Sequence, residues 1–174
     1  MTVPVPEPPF FGSTTPAGSR TEVFTRYLGY FRGQLAARLR QLPPQELRRS
    51  RVPSGWTPLE LLRHLTYVER RWLEWGFEGH QVADPWGDQR DGRWYVAPSE
   101  SLDDLLAEYA DRARRSDAII AGHDLDEVGQ PGERWHGDPP ATLERVLFHL
   151  LQEYARHVGH LDIVTELAGG PTGE

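Results

Sequence analysis

Residues 144–167 constrain the fold more than any other stretch, because they predict one long amphipathic helix with polar groups on its apolar side. Their sequence is ERVLFHLLQEYARHVGHLDIVTEL, in which His149, Glu153 and His157 follow one another at intervals of four. Residues four apart lie one above the other on a helix, so His157 is turned only about 80° from His149. The stripe should face inward because apolar residues flank it: Val146, Leu150, Tyr154, Leu161 and Val164.

Polar side chains on such a face need a partner. A carboxylate in the middle of a helix, as Glu153 would be beside Leu150 and Tyr154, is expensive to bury without a cation. A divalent metal ion would satisfy the carboxylate and the imidazoles together. Ordinary hydrogen bonds inside a helical core would satisfy them too, so these residues alone leave both interpretations open.

Three further segments have amphipathic periodicity, and each begins with residues that cap a helix. Ser19–Glu22 and Thr57–Glu60 have the form of capping boxes, Ser101 precedes Asp104 by three residues, and Thr142 caps the last helix. Prolines and glycines follow the segments and end them. The predicted helices span residues 20–42, 58–77, 102–121 and 143–168. With no convincing strand between them, the sequence predicts an all-α protein, a four-helix bundle with two long crossing loops.

Length and composition set the domain organisation. The chain of 174 residues is long enough for one domain with a proper core. Five prolines lie in residues 1–18, which therefore predict an extended tail. We expect the bundle to occupy residues 19–170 and a short tail to follow at 171–174.

The charge and composition exclude several functions. The net charge is −7 and no large basic stripe is present, which argues against a nucleic-acid partner. No apolar run approaches the roughly 20 residues that cross a bilayer, and the N-terminus lacks a secretory pattern, so no membrane partner is expected. Cysteine is absent, which excludes disulfides and thiolate ligands and fits a cytoplasmic protein. A small-molecule substrate is the expected partner.

A histidine on the second predicted helix completes a candidate metal site. His64 lies on or beside the buried face of that helix, and Glu153 and His157 share one face of the last. Three protein ligands with positions left open are typical of a catalytic metal, and this donor set suits Zn, Fe(II), Ni or Co. The spacing does not match the HExxH pattern of metalloproteases or the paired Glu-x-x-His helices of di-iron bundles.

Other residues are candidates for substrate binding and proton transfer. His160 should lie close enough to reach a group bound at the metal, as a general base or as a packing residue, and the same alternatives apply to His149. Residues 78–100 form a long loop, either an anchored Ω-loop or a lid over the site. Two arginines in it are candidates to bind a substrate carboxylate, and two tryptophans to cover the pocket: Arg90, Arg93, Trp86 and Trp94.

The stretches WTPLELLRHLTYVERRWLEW (residues 56–75) and EYARHVGHLDIVTELAGG (153–170) resemble the DinB-like superfamily. They are most similar to the branch with the actinobacterial mini-circle protein and the mycothiol-dependent enzymes, and the resemblance covers residues 19–170. It implies an up-down-down-up bundle and places metal ligands at His64, Glu153 and His157. It also implies a zinc-like ion and transfer of a low-molecular-weight thiol such as mycothiol or bacillithiol.

The resulting hypothesis is a metal-dependent thiol transferase acting on an electrophilic small molecule, with His160 or a bound water moving the proton. Two alternatives remain. A metal-dependent hydrolase would use the same site with water as the nucleophile. A non-catalytic interaction protein would dimerise through an exposed face and keep the histidines as hydrogen-bonded core residues. We expect a homodimer, because such bundles offer long apolar faces.

Overall fold

The computed structural model describes residues 12–170, and its architecture is a four-helix bundle. Its helices are α1 (Arg20–Gln41), α2 (Pro58–Glu69), α3 (Leu102–Gly122) and α4 (Leu143–Leu167). Helix α1 packs mainly against α4 and α2 against α3, while α2 and α4 also touch. The prediction of an all-α bundle is confirmed. Residues 1–11 and 171–174 lie outside the described residues, so the two tails stay predictions.

The helix starts follow the capping residues of the sequence. Thr57 and Ser101 each form a complete capping box with the acidic residue three positions on. At the start of α1 the motif is half formed, because Ser19 caps the Glu22 amide while the Glu22 carboxylate accepts from the amide of Gly18. None of the helices within residues 12–170 is long and apolar enough to cross a membrane.

The second helix differs from the prediction in its last two turns. After α2 the chain continues as a π-helix, Arg70–Phe77, in which hydrogen bonds span five residues; the Glu78 amide, for example, bonds the Leu73 carbonyl at 2.9 Å. The apolar pattern runs on unchanged, which is why the sequence did not indicate the change. Such segments often lie at functional sites. A short 3₁₀ turn, Glu133–Trp135, packs on it and places the Trp135 ring beside Gly76.

The long loop contains a small hairpin that the sequence analysis did not predict. Strands β1 (Gln89–Arg90) and β2 (Arg93–Trp94) are antiparallel and are joined by Asp91 and Gly92. Both linking residues have positive φ, 52° and 73°, as a type I′ turn requires. The Asp-Gly turn therefore fixes where β2, and with it Trp94, re-enters the bundle.

A buried ionic network ties α1, α2 and α4 together. The Arg32 guanidinium makes two hydrogen bonds to the Glu69 carboxylate, at 2.8 and 2.7 Å, and Glu69 is completely buried. The Tyr154 hydroxyl donates to the same carboxylate. Burial and then the nearby Glu69 charge raise the pKa of Tyr154 well above its usual value, so this hydroxyl keeps its proton. The network fixes α4 one residue away from Glu153.

Removing the cation of this network should destabilise the fold. Arg32→Met leaves the buried Glu69 carboxyl group without its guanidinium, so we expect a loss of about 3–5 kcal/mol in the free energy of unfolding, measured in urea. The matched control is Arg115→Met, which breaks an exposed pair with Asp111 on α3 and should change stability by less than about 1 kcal/mol. Equal losses in the two variants would contradict a structural role for the network.

Candidate metal centre

Three side chains from two helices converge inside the bundle. His64 of α2 and Glu153 and His157 of α4 each offer one ligand atom, and these atoms lie within 4.8 Å of one another. One Glu153 carboxylate oxygen, Oε2, is 3.2 Å from His157 Nε2 and 3.8 Å from His64 Nε2. His157 is buried and the other two are partly buried. The structure thus brings together the three residues that the sequence analysis selected.

The charge state of this trio fits a divalent cation. The His157 ring and then the His64 ring, both beside the carboxylate, lower the pKa of Glu153 far below its usual value, and burial opposes them. The carboxylate is therefore ionised, as a metal ligand must be. His157 Nδ1 is buried and has no hydrogen-bond partner within residues 12–170. Two imidazole nitrogens and one carboxylate oxygen are a donor set that Zn²⁺ and its first-row neighbours accept.

Two more histidines of α4 flank the trio. His149 Nε2 lies 3.6 Å from Glu153 Oε1, and its ring packs on Trp72 of the π-helix at 4.3 Å between centroids. The His160 ring lies 5.5 Å from that of His157. Burial lowers the pKa of both histidines; the charge of Arg134 adds to the effect at His149, although Glu153 opposes it there. At His160 the neighbouring His157 and Arg156 lower the pKa further, so its neutral form dominates near pH 7.

A buried carboxylate that the sequence analysis did not select contacts this site. Asp88, just before β1, is completely buried; its Oδ2 lies 3.0 Å from His64 Nδ1 and also accepts a hydrogen bond from Arg71. Its Oδ1 accepts a second bond from Arg71, at 2.7 Å. Burial acts to raise the pKa of Asp88, but the bonds to His64 and Arg71 outweigh it, so the pKa lies below the ordinary value. In the sequence, Asp88 was one of several aspartates in a polar loop, without a pattern to distinguish it.

The four loop residues proposed for substrate binding separate into two groups. Trp94 stacks on His64, with ring centroids 4.1 Å apart and planes at 19°. With Arg93 it lines a pocket of about 360 Å³, which Trp56 and Glu60 also line. Trp86 packs instead on the Arg71 guanidinium, and Arg90 lies over the Tyr95 ring at 3.9 Å. The structure therefore brings Trp94 next to the trio, against His64 and His157, and places Arg93 in the adjoining pocket. Trp86 contacts the π-helix instead, and Arg90 contacts Tyr95 of the loop.

The fold and the trio together define a four-helix bundle with a His–Glu–His group that can hold a metal. A family model described as mycothiol-S-transferase matches residues 23–170. The chain therefore belongs to the mycothiol-S-transferase family, and the resemblance noted in the sequence is confirmed. A comparison with curated proteins found no match.

The lowered pKa of Asp88 predicts how stability depends on pH. A carboxyl group whose pKa is depressed by folding stabilises the protein above its ordinary value, here 3.8, and the contribution is lost as the pH falls through the folded pKa. Metal-free Asp88→Asn should therefore lose most stability at neutral pH, and its deficit relative to wild type should shrink below about pH 3.8. Urea unfolding at pH 7, 4 and 3 measures the difference. A deficit that stays constant or grows in acid would contradict the assignment.

Proposed function

We propose that this protein is a divalent-metal-dependent transferase that joins a low-molecular-weight thiol, such as mycothiol or bacillithiol, to an electrophilic small molecule. The observation that carries the proposal is the convergence of His64, Glu153 and His157. Membership of the mycothiol-S-transferase family supports the choice of reaction. Zinc is the metal we favour, and Ni, Fe or Co would suit the same donors.

His64 and His157 would each offer Nε2 to the metal, and Glu153 would offer carboxylate oxygen. When bound, the cation supplies a Lewis acid that lowers the pKa of a coordinating thiol. The ionised Glu153 balances part of the positive charge at the site. Three protein ligands also leave room for substrate, since structural sites of this type are usually closed by a fourth.

The pocket beside Trp94 is our candidate for substrate binding. Its tryptophans offer apolar surface, and the exposed Arg93 offers a guanidinium for a carboxylate on the substrate. We also propose that Trp86 and Arg90 of the same loop contribute to substrate binding. In the transfer step the thiol sulfur forms a bond to the electrophilic carbon, the leaving group departs with its bonding electrons, and a ring nitrogen of His160 accepts the thiol proton. The lowered pKa of His160 supports that role because it keeps the ring unprotonated.

The composition and the exposed surface of α4 bear on the location of the protein and on its oligomeric state. The absence of cysteine is compatible with a reducing compartment, and we propose a cytoplasmic location. We also propose a homodimer, because α4 exposes the apolar side chains of Phe148, Ile163 and Leu167. Size-exclusion chromatography with light scattering distinguishes a dimer from a monomer.

The metal content of variants tests the site. After loading with zinc and dialysis, wild type should retain about one ion per chain by elemental analysis, whereas His64→Ala, Glu153→Gln and His157→Ala should each lose it, because two ligands hold zinc poorly. His123→Ala is the matched control: it removes an imidazole that pairs with Glu127 instead, and should retain the ion. A wild-type protein that takes up no metal, or a control that loses it equally, would refute the site.

An assay with mycothiol and a chloro-arene acceptor tests the reaction. The zinc-loaded protein should form the thioether, detected by mass spectrometry, and His160→Ala should lower kcat by about 10²-fold at pH 7 through loss of a proton acceptor. His123→Ala should retain wild-type activity. Product that carries a hydroxyl group and forms without thiol would instead identify the metal-dependent hydrolase.

A further inference from the structure

The Asp88 carboxylate contacts one residue of the candidate metal centre, His64. It faces Nδ1 of His64 at 3.0 Å, while Nε2 of the same ring points toward Glu153. An ionised carboxylate has no proton to donate, so a hydrogen bond at this distance requires the proton on Nδ1. The neutral ring then carries its lone pair on Nε2, which is the atom the metal would need.

Arg71 determines how the carboxylate is oriented. It donates to both oxygens of Asp88, at 2.7 and 3.1 Å, and its own position is fixed by a bond to the Pro85 carbonyl and by packing against the Trp86 ring. All of these contacts are made by the loop and the π-helix. The Arg71 guanidinium of the π-helix, the Asp88 carboxylate of the loop and the His64 imidazole of α2 are therefore linked in a row by hydrogen bonds, and the row ends at the trio.

One face of the His64 ring is covered by an aromatic side chain. Trp94 stacks on the ring at 4.1 Å, so ring tilt and tautomer are both set by residues of the 78–100 loop. His157 lacks a comparable acceptor, since its Nδ1 has no hydrogen-bond partner in the part of the chain that the structure describes. Of these two histidines, only His64 has a carboxylate that orients its ring from outside the trio.

We propose that Asp88 is a positioning residue of the metal centre, which holds His64 in the tautomer that presents Nε2 to the cation. The inference rests on the proposed metal-binding function. Carboxylates that accept from the free N–H of a ligating histidine fix the ring and raise its basicity, and their loss typically weakens metal binding by about 10–100-fold. Trp86 would support this arrangement by packing against Arg71.

Asp88→Asn provides a test because the amide is the same size but has one oxygen in place of two. Oδ2 of Asp88 accepts from both His64 and Arg71, while Oδ1 accepts from Arg71 alone. An NH₂ group in the place of Oδ2 would donate to Nδ1 of His64, and one in the place of Oδ1 would leave only a neutral oxygen facing Nδ1. In either orientation the ring loses its ionised acceptor. We therefore expect Zn²⁺ affinity, measured by chelator competition, to fall about 10–100-fold in this variant.

The matched control is Glu46→Gln, which replaces another buried carboxylate that accepts two bonds from a single guanidinium, that of Arg51. It should bind Zn²⁺ within about twofold of wild type, because Glu46 accepts from Arg51 and not from a ligand of the proposed metal. Equal affinities of Asp88→Asn and wild type, or equal losses in Asp88→Asn and Glu46→Gln, would overturn the positioning role.

A spectroscopic measurement tests the inference without metal. In ¹⁵N-labelled, metal-free protein at pH 9, where ordinary imidazoles are neutral, wild-type His64 should show a proton on Nδ1 and none on Nε2. Asp88→Ala removes the acceptor at Nδ1, so the proton should move to Nε2, which faces the Glu153 carboxylate. A wild-type ring with a proton on Nε2, alone or together with one on Nδ1, would refute the role of Asp88 even if the variant failed to fold. If wild type bound no Zn²⁺ but showed the Nδ1 proton, the proposed function would fail while the orientation by Asp88 stood.

Discussion

An ionised carboxylate held between two imidazoles from different helices is the interaction on which the rest of the structure depends. Glu153 lies within 3.8 Å of nitrogen atoms from both α2 and α4 in a partly buried setting. Burying such a charge is unfavourable unless partners surround it. The two helices must therefore meet at one depth and one rotation, and the same condition gives three ligand atoms a common centre.

The second helix and its π-helical continuation provide most of the polar contacts that maintain this geometry. Three neighbouring elements form ion pairs with different charged residues of this segment: α1 with Glu69, α3 with Glu74, and the long loop with Arg71. Because these pairs point in different directions, the segment has little freedom to rotate or slide. The ligand His64 is carried on this fixed segment, and the loop that covers it is held by the same contacts.

The sequence predicted those parts of the site that depend on local spacing. Capping residues determined the helix starts, and the four-residue interval placed Glu153 and His157 on one face, because both follow from helix geometry alone. Asp88 was not predictable in this way, since its role depends on where a loop returns to the bundle. The change to a π-helix at Arg70 was missed because the apolar pattern continues through it. Trp94 was selected as a pocket residue, but its stacking on His64 follows from the Asp-Gly turn and a contact distant in sequence.

The central claim is that one cation binds between α2 and α4, and a crystal structure of the zinc-soaked protein with data collected at the zinc absorption edge tests it most directly. We predict one strong anomalous peak about 2.0–2.2 Å from Nε2 of His64, Nε2 of His157 and a carboxylate oxygen of Glu153. Clear density for these three side chains without a peak among them, or a peak elsewhere on the surface, would contradict it.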